Sequence, residues 1–486
     1  MFCGFVKMIL KKGWERMTRI TEADKLIEML EAAGYEAYYV GGCVRDLLLG
    51  ETDAKAAGPA ADFDVTTSAT PDEMKEVFAG LRYFETGIRH GTLTVLTPDD
   101  ARMPIEITTF RTEGEYTDNR HPDEVRFVRN LEEDLARRDF TINAMAMDIH
   151  GEVIDIYGGR DDLKAGLIRA VGDPDRRFQE DALRILRALR FAAVLDKDGA
   201  AFTIEPDTEA AMFRNKELLR NISVERIFVE LKKLVTGSHA GDVVRKYVDI
   251  ISVFIPELLP MKGFKQHNPY HKYDVLEHCI RAMEVAESAG FVEMYQMKLA
   301  ALLHDVGKPQ TFFIGDDGVG HMYGHAAVGE GMVRDILNRL KADNETKTCV
   351  CTLVKYHDLV FQEDRRLLKK WMNKYTPEML LEILHIKRAD NLATGNMSEE
   401  LAQKFDRIET EIHAILEEEQ CFSLKDLAID GGDLMTIAGA EGKSNSPGGG
   451  KWIGETLQTL LDEVIDGTLP NEKEALAARA AELLKD

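Results

Sequence analysis

No stretch of this 486-residue chain approaches the roughly 18 consecutive apolar residues that a membrane helix needs. No two of its six cysteines (Cys3, Cys43, Cys279, Cys349, Cys351 and Cys421) form a C-x-x-C pair, so zinc-ribbon and thioredoxin-like chemistry is excluded. Their spacing does not make a secreted disulfide framework either, and a reducing cytoplasm is the expected setting. No repeat of fixed period is present. Positive charge is scarce: 61 Lys and Arg stand against 85 Asp and Glu, giving a net charge of −24. That argues against a general nucleic-acid coat. The segment from Arg160 to Ala240 departs from this balance, with 15 Lys/Arg against 14 Asp/Glu. A polyanion would most plausibly lie there. Met1–Leu10 is mildly apolar but lacks a preceding basic region and a small-residue cleavage site, so it does not read as a signal peptide. Met8 and Met17 are alternative starts, because recognisable structure begins near Thr21.

There is ample apolar material, 44% of the residues, for several cores. At about 100–200 residues per domain the length suggests two to five domains. Thr21–Ala33 reads as a helix capped by Thr21, with Leu26, Ile27 and Leu30 on one face and Gly34 at its end. Glu36–Val40 reads as a strand, Val44–Leu49 as a short helix opened by Gly41-Gly42, and Ala54–Ala61 as a loop. Asp62–Thr66, Thr92–Thr97, Pro104–Thr109, Val125–Val128 and Ala144–Ile149 are strand candidates, with a helix opening at Ser68 and Pro71. Arg111–Asp123, rich in charge and turn formers, reads as a long mobile loop. From Phe178 the periodicity becomes helical to the end, with loops at Gly315–Gly320 and Gly442–Gly450. The expected fold class is an α/β head followed by an all-α remainder.

Asp62 and Asp64 stand at i and i+2 of a strand, so both carboxylates face one side. An isolated D-x-D is most often a polar strand edge. Here Gly41-Gly42 and a helix with Arg45 on its first turn precede it, a combination suited to phosphate. Two carboxylates suit Mg²⁺. Glu106 on its own strand is either a third carboxylate or the solvent side of an alternating pattern. Arg137, Arg138, Asp139 and Asn143 offer contacts for ribose and phosphate, or a surface ion pair. In Glu180–Arg190, read as one helix, Asp181 and Arg184 share a face, and Glu180, Arg184 and Arg187 follow one track. That is either a solvated ion-pair face or a rigid pair able to hydrogen-bond a base edge.

A second set comprises His278, the doublet His304-Asp305 at a helix end, His325, His357 and Asp390. Imidazole plus carboxylate suits Zn, Mn, Fe or Ni, while carboxylates alone favour Mg. Lys308 and His267 are candidate phosphate contacts. Gly442-Lys443-Ser444 is not a P-loop, because the first glycine of that pattern falls on Ile437. Gly448–Gly450 is either an RNA-contacting turn or a plain linker.

Gly41-Gly42-Cys43-Val44-Arg45-Asp46, Asp62-Phe63-Asp64, Arg137-Arg138-Asp139-Phe140-Thr141-Ile142-Asn143-Ala144, Glu180-Asp181-Ala182-Leu183-Arg184 and Ile222–Ile227 occur in an order that resembles the bacterial class II tRNA nucleotidyltransferases, the CCA-adding enzymes, and their poly(A) polymerase relatives. The resemblance runs from about Thr21 to about Val235. It implies a polymerase-β-like head in which Asp62 and Asp64 bind two Mg²⁺ ions. It implies that Gly41, Gly42 and Arg45 hold the triphosphate, and that Arg138, Asp139 and Asn143 contact ribose and phosphate. Asp181 and Arg184, flanked by Arg187, would pair with the base of CTP or ATP. The loop Arg111–Asp123 corresponds to the family's switch from C to A addition. The Leu303–Lys308 doublet region resembles the HD phosphohydrolases, with His278, His304, Asp305 and Asp390 as ligands of a divalent metal (Mn, Ni, Fe, Zn or Mg) and His325 and His357 as ligands of a second ion.

The expected organisation is an N-terminal extension (1–20), the head (21–160), a helical neck (161–265), an HD domain (266–395) and a tRNA-binding tail (396–486). The expected function is addition of CCA to the acceptor end of tRNA, with no membrane partner. Alternatives are a bacterial poly(A) polymerase, an HD phosphohydrolase that uses the head only to bind nucleotide, and a non-catalytic RNA-binding protein.

Overall fold

The computed structural model describes residues 22–52, 63–99, 102–113, 125–267, 272–316, 318–418, 421–440 and 451–484. Asp62, the stretch Ala54–Ala61, most of the loop 111–123 and the segment 442–450 therefore lie outside the described residues, as does the cap position Thr21. The chain divides into two compact units that meet in sequence between Leu259 and Pro260, with Arg339–Lys341 grouped with the first.

The first unit opens with a helix over residues 22–32. Ala23, Leu26, Ile27 and Leu30 are fully buried on one face, and the chain leaves it through Gly34 at φ +89°. A mixed sheet follows, made of β1 (Ala37–Val40), β2 (Asp64–Thr67), β3 (Tyr83–Gly87), β4 (Thr92–Leu96) and β5 (Pro104–Thr109), closed by Met145–Met147 and Val153–Asp155. Its order is β3-β4-β5-β2-β1, then those two closing strands. β2 and β5 run parallel, and the other neighbours are antiparallel. Alternation explains these strands: Leu93, Val95, Ile105 and Ile107 are buried, while Glu106 points to solvent.

Three local expectations change. The helix Pro71–Val77 is capped by Thr70, in a capping box with Glu73, and not by Ser68. Ser68 instead accepts a hydrogen bond from the Glu36 backbone N–H at 2.9 Å. Arg111–Glu113 is not loop but a strand paired with Val125–Phe127. Glu180–Arg190 is two helices, Pro174–Glu180 and Leu183–Val194, broken at Asp181 (φ −141°, ψ 102°). Asp181 competes for a backbone donor there, accepting from Leu183 N–H at 3.1 Å. The helical stretch also holds short paired strands, such as Asp196–Lys197 with Ala200–Ala201. The helix Val224–Val235 packs beside Leu183–Val194 and buries Ile227, Leu231 and Leu234.

The second unit is mainly helical. Helices Val275–Val285, Met294–Leu303, Asn344–Tyr356 and Pro377–Ala393 pack together around a buried apolar centre that includes Ile280, Leu299, Leu302, Val350 and Leu384. The expected loop at Gly315–Gly320 is instead the turn of a small hairpin, Phe313–Ile314 with Gly320–His321. Towards the C-terminus, Gly431–Ala440, Lys451–Ile465 and Lys473–Leu483 bury Leu434, Leu460, Leu461 and Leu476 in a core of their own. Among the described residues no helix is long and apolar enough to cross a membrane.

Candidate functional site

In the head, the parallel pairing of β2 with β5 sets Asp64 directly beside Glu106. Both side chains are exposed on one sheet face, so Glu106 is a neighbour of the D-x-D carboxylate across the sheet. Beside them, the chain turns through Gly41 at φ +78° into the helix Gly42–Thr52. Arg45 on that helix is buried and donates to Asn143 Oδ1 at 2.7 Å. Asn143 in turn donates to Asp139 Oδ1 at 3.1 Å, and Arg187 Nε donates to Asp139 Oδ2 at 2.7 Å. Four of the expected nucleotide contacts thus form one continuous chain from the glycine turn to the neck.

Burial would raise the Asp139 carboxyl, but the Arg187 guanidinium and the Asn143 amide hold it down at about 2. The folded value lies below the ordinary carboxylate value of about 3.9. Asp139 therefore contributes stability that is present above about pH 4 and is lost as pH falls through about 2. The expected result is that Arg187→Ala costs about 2 kcal/mol at pH 6 and much less near pH 2, read by urea unfolding at both values.

Arg138 does not join this chain; it reaches Asp134 Oδ2 at 3.1 Å. Asp134 is completely buried and also holds Arg137 at 2.6 Å. The sequence reading missed Asp134, although its placement three and four residues before the two arginines on a helical turn was a usable signal. A Cβ on Gly41 would stand 3.0 Å from Arg138 Nη1. Gly41→Ala thus combines a positive φ with a close contact. The expected cost is about 1–2 kcal/mol in urea unfolding, together with a raised KM for nucleotide.

At the neck, Asp181 and Arg184 are neighbours in sequence that are held by different partners. Arg226 donates to Asp181 Oδ2 at 2.7 Å, and Arg184 donates to Glu180 Oε2 at 2.8 Å and to the Arg137 carbonyl at 2.9 Å. The expectation that Asp181 and Arg184 share a helix face is corrected by the break at Asp181. Arg226, 45 residues away in sequence, had no local signal beyond its place in Ile222–Ile227.

The structure brings the His and Asp residues of the second constellation together. His304 caps the helix Met294–Leu303, so the chain can turn His304 and Asp305 towards one point. His304 Nε2 lies 3.2 Å from Asp305 Oδ2 and 3.2 Å from His278 Nε2. His278 Nε2 lies 2.9 Å from Asp390 Oδ1. On the other side, Asp305 Oδ1 is 3.3 Å from His325 Nε2 and 3.5 Å from His357 Nε2, and these two imidazoles are 3.2 Å apart. Among the described residues three possible ligand groups result, His278/His304/Asp390, Asp305/His325/His357 and Cys279/His304/Asp305, the donor atoms within each lying within 4.8 Å of one another. Nδ1 of His304 and of His357 faces the carbonyls of Ala301 and Val354, which leaves both Nε2 atoms for the centre.

Burial works against charge on His304, yet the Asp305 carboxylate holds its pKa well above the usual value. Burial likewise opposes ionisation of Asp305 and Asp390, which still lie well below the carboxylate range. The pocket demands positive charge, and both Asp305 oxygens are buried without a hydrogen bond of good geometry. Imidazole and carboxylate donors together fit a transition-metal ion. Lys308 Nζ lies 2.5 Å from Asp305 Oδ2 and lines the same cleft. His267 packs instead on the Phe312 ring at 5.9 Å and does not line that cleft.

Family models match three segments: "Poly A polymerase head domain" over residues 37–169, "Probable RNA and SrmB-binding site of polymerase A" over 201–260, and "tRNA nucleotidyltransferase domain 2 putative" over 325–480. A CCA-adding enzyme of Lactobacillus helveticus is 49% identical over 51% of this chain and 58% of its own. One from Ligilactobacillus salivarius is 34% identical over 95% of this chain and 96% of its own. This chain belongs to the CCA-adding enzyme family. A CCA-adding enzyme of Lactiplantibacillus plantarum adds a second match at nearly full length, 36% identical over 93% of this chain and 94% of its own. The solved Bacillus stearothermophilus CCA-adding enzyme in complex with CTP matches with a TM-score of 0.68 and 28% identity, covering 96% of this chain and 97% of that one. A Thermotoga maritima CCA-adding enzyme complexed with tRNA shares the fold, with a TM-score of 0.52, 21% identity and coverage of 95% and 94%. The head-domain match spans Gly41 to Asn143, the residues of the glycine turn and the carboxylate strands. His278, His304 and Asp305 lie between the matched segments.

Proposed function

We propose that this chain adds C, C and A to the 3′ end of tRNA from CTP and ATP with no nucleic-acid template. The observation that carries the reading is the register of Asp64 with Glu106, next to the bonded chain Arg45–Asn143–Asp139–Arg187. Membership of the CCA-adding family supports it, as do the CTP, ATP and tRNA complexes of the related proteins. Asp64 and Glu106, with the Asp62 of the same D-x-D taken as the third carboxylate, would make an all-oxygen donor set suited to Mg²⁺. When bound, such ions lower the charge cost at an attacking 3′-hydroxyl and a leaving pyrophosphate.

The remaining work falls to this chain's own groups. The backbone at Gly41-Gly42 and the N-terminus of the helix Gly42–Thr52 receive phosphate, and Arg45 adds a charged donor. Asp139 and Asn143, held by Arg45 and Arg187, orient the ribose. Asp181 offers acceptors and Arg184 donors to the base edge, and a base displaces Arg226 and Glu180 from them. The least acidic stretch, Arg160–Ala240, serves as the track for the RNA backbone. In this reading residues 21–160 are the head, 161–265 the neck, 266–395 the HD domain and 396–486 the tail, with 1–20 as an extension. The poly(A) alternative separates cleanly in one assay. With ATP alone, a transcript ending in CC gains a single A if the reading holds and a long A tail if it does not.

A second activity is favoured by the convergence of six His and Asp ligands in the other unit. His278, His304, Asp305 and Asp390 would hold one divalent metal (Mn, Ni, Fe, Zn or Mg), with His325 and His357 available to a second. Bound there, the metal would supply an activated water for phosphate-ester hydrolysis. Lys308 meets the phosphate.

A further inference from the structure

Phe191, on the helix Leu183–Val194, is 5% exposed. Burial alone would make it one more core ring. Its neighbours are not those of a core ring. Three guanidinium groups lie over it, Arg190 at 4.2 Å from the ring centroid, Arg45 at 5.0 Å and Arg187 at 5.5 Å. Contacts of this kind arise about once per 70–80 residues, so three on one ring are a concentration that packing does not require. Phe140, next to Asp139 in sequence, meets the same ring edge-on, with centroids 5.8 Å apart and planes at 88°.

The charges around the ring give it a task. Each arginine also pairs with a carboxylate: Arg187 with Asp139 at 2.6 Å, Arg45 with Asp46 at 2.7 Å and Arg190 with Glu230 at 2.8 Å. Arg45 comes from the helix Gly42–Thr52 behind the glycine turn, and Glu230 is buried on the helix Val224–Val235. The cluster therefore joins three helices of the first unit. The cations still repel one another. Burial pushes Arg190 below the ordinary guanidinium value, Glu230 opposes this, and Arg187 and Arg45 add to the fall. An aromatic face carries partial negative charge and attracts all three, where an aliphatic side chain would leave them to repel. It does so without a formal negative charge that would oppose an incoming triphosphate.

We propose that Phe191 is a positioning residue for nucleotide binding, its ring face holding Arg45, Arg187 and Arg190 together as a preformed cationic seat that serves CTP and ATP alike. The inference rests on the reading of the head as a nucleotidyl-transfer site. Phe191 touches no reacting atom in this account. It acts through Arg45 and Arg187, which belong to the bonded chain from the glycine turn to the neck. The base is read elsewhere, at Asp181 and Arg184, so the ring does not discriminate between the two nucleotides. A seat arranged before the ligand arrives lowers the ordering cost of binding. It is used equally in the ground and transition states, and its loss is therefore a KM effect.

The test uses the full chain with Mg²⁺ and tRNA transcripts ending before CCA and after CC. Phenylalanines carrying one, two and three ring fluorines are placed at position 191, which drains charge from the ring face and alters its shape little. KM and kcat are measured for CTP on the first transcript and for ATP on the second. The expected result is a KM that climbs with each fluorine, reaching about five- to tenfold at three, by the same factor for both nucleotides and with kcat unchanged. Phe191→Leu should raise KM at least as far. A KM that stays flat along the fluorine series, whatever Phe191→Leu does, is the behaviour of a ring that only fills space and overturns the inference. A rise confined to one nucleotide, or a fall in kcat with KM unmoved, overturns it as well and leaves the nucleotidyl-transfer reading standing. No incorporation by the unaltered chain overturns that reading and the inference with it.

Discussion

Asp64→Ala should lower incorporation of both CTP and ATP into tRNA by about a thousandfold or more. The argument starts from position. Asp64 is exposed on β2, aligned with Glu106 on β5, and beside the glycine turn that precedes Arg45. An exposed aspartate at a strand end contributes little to the fold, so the unfolding midpoint should move by less than about 0.5 kcal/mol. In the proposed reading its worth lies in holding divalent cations where negative charge develops. That is several kcal/mol of transition-state stabilisation, and about 1.4 kcal/mol corresponds to each factor of ten in rate. Because the same ions serve both nucleotides, the two losses should be equal. A variant that lost ATP addition while keeping CTP addition would place Asp64 in base selection. Glu106→Gln should show a smaller loss of the same kind, since its side chain stands beside Asp64 on the neighbouring strand. The check is a single-turnover rate with each nucleotide at saturating Mg²⁺.

Asp305→Ala should abolish metal-dependent phosphate-ester hydrolysis and reduce bound transition metal, leaving CTP and ATP addition intact. Asp305 is 1% exposed and stands among the ligand groups, 3.2 Å from His304, 3.3 Å from His325 and 3.5 Å from His357. In the proposed reading its removal would take away one ligand of the first metal and a carboxylate neighbour of His325 and His357. It also leaves Lys308, buried at 2.5 Å from Asp305 Oδ2, without its main counter-charge. Breaking a buried pair in this way costs about 3–5 kcal/mol. Asp305→Asn keeps the shape and separates lost chemistry from lost folding. Metal content by elemental analysis, hydrolysis of a generic phosphate ester and thermal unfolding on both variants form the check. Full hydrolysis in Asp305→Asn would contradict the role given to this carboxylate.

The parts of these sites that were readable before the structure were those with short-range signatures. Asp64 in its strand, the glycine pair before Arg45 and the His304-Asp305 doublet at a helix end each lie within a few residues of their local signal, where period and turn propensity act, while Asp62 lies outside the described residues. Glu106 was half legible. Alternation put it on the solvent face of a strand, but only the parallel register with β2 brings it beside Asp64. The break at Asp181 was hidden because Glu180–Arg190 is rich in good helix formers, and the competing side-chain bond to Leu183 N–H leaves no mark on the hydrophobic pattern. Asp181–Arg226 and Asp139–Arg187 join residues 45 and 48 apart, beyond any local period. The hairpin carrying Phe313 and His321 has strands of two residues each, too short for alternation to appear among the glycines around it.

The central claim is untemplated, ordered CCA addition by the head. Its most direct test is incubation of the full chain and Mg²⁺ with three tRNA transcripts, ending before CCA, after the first C and after CC. CTP and ATP are supplied singly and together, and the 3′ ends are sequenced. The account predicts that CTP alone extends the first transcript by CC and the second by C, that ATP alone extends the third by one A, and that both together yield CCA and stop. Addition of A to the first transcript, unlimited tails, or no incorporation by the intact chain would contradict it.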